Sequence, residues 1–213
     1  LYRPILPDCS SEDSVAVAKA GGTPALHELR LHQGSIWWWN RPVYDASGDG
    51  HLRIEMRALP AGPTLIDMLA NAALAIGLAK TMQSTIRELL PAIPFEYCTA
   101  NFYRAAQKGL DAELFWPSLK QSQPEYFSAP EILASLLPEL PASLSSMGFI
   151  EEDFVPLLKI IEERLALRQT GAQWQLRKLA ELRQSMHKRD ALTEMMKQYC
   201  QNSASNIPVA QWK

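Results

Sequence analysis

Residues 51–80 read HLRIEMRALPAGPTLIDMLANAALAIGLAK, and the periodicity of the chain changes inside them. Over 51–59, Leu52, Ile54 and Met56 alternate with His51, Arg53, Glu55 and Arg57. Side chains on a strand point to opposite faces in turn, so this alternation predicts a strand with an oily face packed inward and a charged face outward. The PAGP that follows breaks the strand. Thr64 then sits where a helix cap belongs, with Asp67 at the third helical position in the manner of a capping box. From there IDMLANAALAIGLAKTM predicts a helix. Its small residues (Ala70, Ala72, Ala73, Ala75, Gly77, Ala79) allow close backbone approach and predict that it is buried against the sheet.

Upstream, residues 29–44 (LRLHQGSIWWWNRPVY) hold β-favouring residues and predict a second strand, with Gly34 a bulge or break. The turn formers DASGDG at 45–50 join it to the first, giving an antiparallel pair. Residues 1–28, with LYRPILP and KAGGTP, predict an extended entry segment. Downstream the signal is mainly helical: 97–109, 129–146 with interruptions at Pro138 and Pro141, 151–168, 172–186 and 190–202, with 117–130 a surface loop or linker. In the last helix Leu192, Met195, Met196, Tyr199 and Cys200 follow one helical face, and Asp190 is the expected cap. Strands first and helices after make an α+β chain: residues 1–90 the strand-bearing part, residues 91–213 the helical part of one unit.

Composition narrows the function classes. The 213 residues carry a net charge of −2, which argues against non-specific grip on nucleic acid or an anionic membrane. The three cysteines, Cys9, Cys98 and Cys200, lie far apart with no CxxC pair, which suggests neither a zinc site nor a disulfide framework and fits a reducing, cytoplasmic setting. On this reading no apolar run approaches the roughly 18 residues of a membrane span. There is no GxSxG, Walker-type or dinucleotide-binding glycine motif.

The charged face of 51–57 has two readings. One is a solvated sheet surface, where same-strand ion pairs matter little. The other is a ligand site: side chains two apart on a strand lie about 6.6 Å from one another, and two guanidiniums around one carboxylate leave surplus positive charge for an anion or phosphate. Glu55 itself is a hard oxygen donor suited to Mg²⁺. Arg41, at a strand end before Pro42, is a phosphate contact or a surface residue. Of Trp37, Trp38 and Trp39, Trp38 reads as core beside Ile36, and the others as core or as a stacking wall for a base. His32 is the more interesting of the isolated pair His27 and His32; His187 reads as solvated. Glu151-Glu152 and Glu162-Glu163 read as first-turn and solvent-facing helix charges.

The segment 51–80 resembles the late part of glutamine synthetases, where an R-I-E-x-R strand runs through a proline-containing turn into an alanine-rich helix. SIWWWNRPVYD followed by LRIEMR is closer still to the second type of glutamate–cysteine ligase, in the carboxylate–amine ligase superfamily; GAQWQ at 171–175 and the PVAQW end add a looser likeness. The resemblance implies a glutamine synthetase-like antiparallel sheet and ATP-dependent amide formation through an acyl phosphate. It implies Glu55 as a Mg²⁺ ligand, Arg53 and Arg41 at the transferring phosphate, His32 at the nucleotide and Arg57 on the carboxylate of an amino-acid substrate such as glutamate. Members of that family carry further metal-binding glutamates in an earlier half, which no stretch of this sequence matches. The expectation is therefore the C-terminal half of a ligase, inactive alone, whose partners are the missing N-terminal half and further copies of itself. The alternative is a non-catalytic ligand-binding or interaction module on the same fold.

Overall fold

The computed structural model describes residues 12–35, 40–59, 61–117 and 125–213. It is a mixed α+β structure, mostly helical, with two small antiparallel two-strand sheets. The chain separates into two compact units, residues 1–60 and residues 61–213.

In the first unit, helix α1 (Ser14–Lys19) is capped by Asp13, whose carboxylate accepts from Val15 and Ala16 N–H. Helix α2 spans His27–Ser35. Both correct the sequence expectation, which had an extended entry segment and then a strand from residue 29. Glu28, Leu29, Arg30, Leu31 and Gln33 are good helix formers, and in this stretch helical propensity overrides the apparent β signal, so that Gly34 lies in a helix. Strand β1 is only Arg41–Asp45 and pairs with β2, His51–Glu55, in the register Arg41↔Glu55, Val43↔Arg53 and Asp45↔His51. The tryptophans at 37–39 lie outside the described residues. The turn runs through Gly48 and Gly50, both at positive φ (59° and 71°), a conformation that glycine adopts without steric cost.

The oily face of β2, expected to pack inward, is exposed, and so are His51 and Arg53 on the charged face. Leu52 is 74% exposed and Ile54 60%, while Glu55 and Arg57 on the other face are half-buried. Alternation correctly separated the two faces, but an oily face is buried only if another layer covers it, and in this unit α2 reaches β1 through Gln33 instead.

In the second unit, α3 spans Leu65–Met82 and begins as predicted, with the Thr64 hydroxyl accepting from Asp67 N–H at 3.1 Å. Next come α4 (Ile86–Ala92), α5 (Phe95–Lys108), β3 (Glu113–Trp116), β4 (Glu125–Ser128), α6 (Ala129–Leu136), α7 (Leu140–Ser146), α8 (Glu151–Leu167), α9 (Gly171–Leu182) and α10 (Lys188–Ser205). Strand β4 falls inside the expected loop 117–130 and pairs antiparallel with β3 just before it: Phe115, Tyr126 and Phe127 are strand formers, and residues 118–124 between them lie outside the described residues. The Ser128–Glu131 capping box starts α6, and the break before α7 falls at the 3₁₀ turn Leu137–Glu139. At α10 the cap is His187, with Asp190 inside the first turn; its inward stripe is Ala191, Met195 and Tyr199, while Leu192, Met196 and Cys200 are exposed.

Helix α3 buries one face only, and the partner of that face is a pair of helices where the sequence suggested the sheet. Ala70 and Ala73 pack in a core with Leu140, Leu144, Phe154, Leu158 and Ile161. A Cβ at Gly77 would stand 2.9 Å from Leu140 Cγ, so glycine is what lets α3 and α7 approach. The opposite face of α3 exposes Leu65, Met68 and Leu69. The helical stretch Leu65–Ala92 reaches a mean hydropathy of 1.4 over 18 residues and is long and apolar enough to cross a membrane by length and composition, which revises the expectation that no run comes near that length. A second core joins Trp174, Met195, Val209 and Trp212, with the two indoles edge to face at 5.3 Å.

Candidate functional site

The register of β1 and β2 decides which charges meet. Residues directly opposite share a face, so Arg41, Asp45, His51, Arg53 and Glu55 lie on one face, joined by Arg57 just past the strand. They form two groups. At one end Arg41 Nε donates to Glu55 Oε2 at 2.6 Å, and Arg57 Nε stands 3.0 Å from Glu55 Oε1. At the other, Arg53 Nη1 donates to Asp45 Oδ2 at 3.2 Å and lies 2.9 Å from His51 Nε2. The three-residue convergence Arg53–Glu55–Arg57 read from the sequence is thus not what the hairpin makes. Arg53 turns to the cross-strand diagonal, and Arg41, fourteen residues away, takes its place at Glu55. His32 lies half-buried on α2, next to Gln33, whose main-chain carbonyl accepts from Arg41 Nη1.

Burial separates the groups. The side chains of Arg41 and Arg57 are 20% and 23% exposed, that of Arg53 51%. The guanidiniums of Arg57 and then Arg41 hold the Glu55 carboxyl below the ordinary glutamate range. Asp45 is lowered further, first by the Ser47 hydroxyl and backbone N–H and then by Arg53. Asn40 closes the Glu55 end of the hairpin, its side-chain oxygen accepting from Arg57 and Ala58 N–H at 3.0 and 3.2 Å.

The Glu55 cluster sets two guanidiniums around one carboxylate, a formal excess of one positive charge, and such planar donors match carboxylate and phosphate oxygens. As a Mg²⁺ site it does not fit. Each Glu55 oxygen already holds a guanidinium, and no group of three or more His, Cys, Asp or Glu gathers among the described residues. A divalent cation here would have to displace an arginine and sit beside the other.

Two residues of this unit escaped the sequence reading. Asp45 was taken as part of a turn; knowing that the loop closes at five residues would have placed it diagonal to Arg53. Gln33 offers no sequence signal, because its role rests on where α2 lies.

The chain matches no protein-family model, no curated protein and no solved structure.

Proposed function

We propose that the chain forms part of an ATP-dependent carboxylate–amine ligase of the glutamate–cysteine type, a cytoplasmic enzyme in which β1 and β2 belong to a larger glutamine synthetase-like sheet. The single observation that carries this reading is the half-buried Arg41–Glu55–Arg57 cluster, with its surplus positive charge on the strands whose sequence resembles the family. In the reaction, a substrate carboxylate oxygen attacks the terminal phosphorus of ATP, and ADP leaves. The amine then attacks the acyl carbon, and phosphate leaves. Arg41 neutralises charge on the transferring phosphoryl group, which is mainly a matter of positioning and electrostatics. Arg57 grips the carboxylate of the amino acid. Arg53 and His32 stand to the nucleotide side. Mg²⁺ bound with ATP would offset charge on the phosphates, and Glu55, with both oxygens on arginines, would not be its ligand.

The test is calorimetric titration of ATP, and separately of glutamate, into the full-length protein and its Arg57→Lys and Arg41→Lys variants. Lysine keeps the charge and loses the planar fork. Arg57→Lys is expected to weaken glutamate by roughly ten- to a hundredfold, the value of one charge-assisted hydrogen bond, and Arg41→Lys to weaken ATP instead. Wild-type behaviour in both variants would return the face to solvent. The saturation of Glu55 by two arginines also favours a second reading, a ligand-binding module without the chemistry. That reading expects anion binding indifferent to Mg²⁺ and no amino-acid-dependent ATP hydrolysis in the full-length protein.

A further inference from the structure

Gln33 is one of the few polar side chains buried in the described part of this unit, at 9% exposure, and it works in two directions. Its main-chain carbonyl accepts from Arg41 Nη1, and its side-chain Oε1 accepts from Tyr44 N–H at 3.0 Å. Tyr44 and Arg41 both lie on β1, so a single residue of α2 clips the helix to the strand at two points. The consequence falls on Arg41. With Nε on Glu55 and Nη1 on Gln33 O, its planar guanidinium is held at two of three nitrogens and has little freedom to rotate. Its Nη2 has no hydrogen bond among the described residues.

Building on the reading of this cluster as an anion site, we propose that Gln33 is a positioning residue, which fixes the Arg41 guanidinium so that Nη2 is presented to an oxyanion of the ligand. The chemistry is shared by phosphate and carboxylate, and the titrations separate them. Preorganisation is the physical point: an arginine already locked in place loses little side-chain entropy when the ligand arrives.

Gln33→Met keeps the length and apolar stem but removes the strong acceptor for Tyr44 N–H; Gln33→Glu keeps an acceptor there. In the 213-residue chain the Arg41 Nε–H resonance in a ¹⁵N–¹H spectrum reports the clasp with no ligand present. The expected result is a narrow, slowly exchanging signal in the wild type, its broadening or loss in Gln33→Met and its retention in Gln33→Glu. Tripolyphosphate or glutamate, whichever the wild type binds, should bind Gln33→Met about three- to tenfold more weakly. Binding by the wild type that is unchanged in Gln33→Met would overturn the role of Gln33 alone. A wild type that binds neither anion would overturn the anion-site reading and this role with it. If Gln33→Met does not fold, the wild type still decides: saturating anion must shift the Arg41 Nε–H resonance, and an unmoved signal overturns the proposal.

Discussion

Asp67 and Glu55 are both carboxylates held by arginine at nearly the same distance, 2.7 Å from Arg164 and 2.6 Å from Arg41, yet the two pairs do different work. Asp67 is fully buried, and its oxygens are filled by the protein: Thr64 Oγ1 donates at 2.7 Å, Arg164 Nη2 at 2.7 Å and Val209 N–H at 3.1 Å. Arg164 also reaches Asn71 and the Asp67 carbonyl, so α3, α8 and the C-terminal 3₁₀ turn Val209–Gln211 are tied at one point. Gln169, buried beside it, donates to the carbonyls of Val209 and Trp212. Glu55 is 41% exposed at its side chain and, among the described residues, is held by arginines alone. A buried carboxylate held by three donors ties its elements together, and removing one of its partners is costly. A half-exposed pair contributes little to folding.

The comparison breaks most visibly at Arg164. Arg164→Ala leaves Asp67 charged and buried without its partner, and should cost about 3–5 kcal/mol in urea unfolding; a loss no larger than a surface ion pair's would remove the distinction between the two sites. Thr64→Val keeps the shape but removes both the helix cap and the hydroxyl donor to Asp67. It should cost about 1–2 kcal/mol, read from the same unfolding curves. Glu55→Gln should lower stability by no more than a partly exposed ion pair is worth, about 0.5 kcal/mol, while altering anion binding. A marked fall in the midpoint would make Glu55 a structural residue like Asp67.

The smallest effect is on pH. The carboxyl of Glu55 is lowered in the folded state, so its contribution to stability is fully present above the ordinary glutamate range and is lost as pH falls through the lower folded value. A ¹³C carboxyl titration should find Glu55 still charged where a free glutamate is half protonated. In Arg57→Ala the midpoint should move upward, because the largest cause of the lowering is gone. An unmoved midpoint would mean that Arg57 is not its partner in solution.

Much of the helical part was legible because its signals act within one turn. Thr64 and Asp67 mark the start of α3, Pro138 and Pro141 the break between α6 and α7, and Glu151, Glu152 and Asp153 the first turn of α8. The short strands β3 and β4 were missed because four residues each are too few for alternation to stand out against flanking helices. On the charged face read from the sequence as one convergent group, Arg57 stands beside Glu55, while Arg53 pairs with Asp45. Spacing along a strand puts residues on one face but does not select among neighbours; the cross-strand register does that, and it placed Arg41 opposite Glu55.

By itself, then, the sequence determined the Thr64 cap, the proline breaks and the division of β2 into an oily and a charged face, all of which depend on neighbours a few residues away. Only the tertiary structure decided which face is covered, which arginine meets which carboxylate, and that Arg164 reaches back 97 residues to Asp67. Those outcomes are set by how separate elements pack, and no local propensity encodes the position of a partner that distant in the chain.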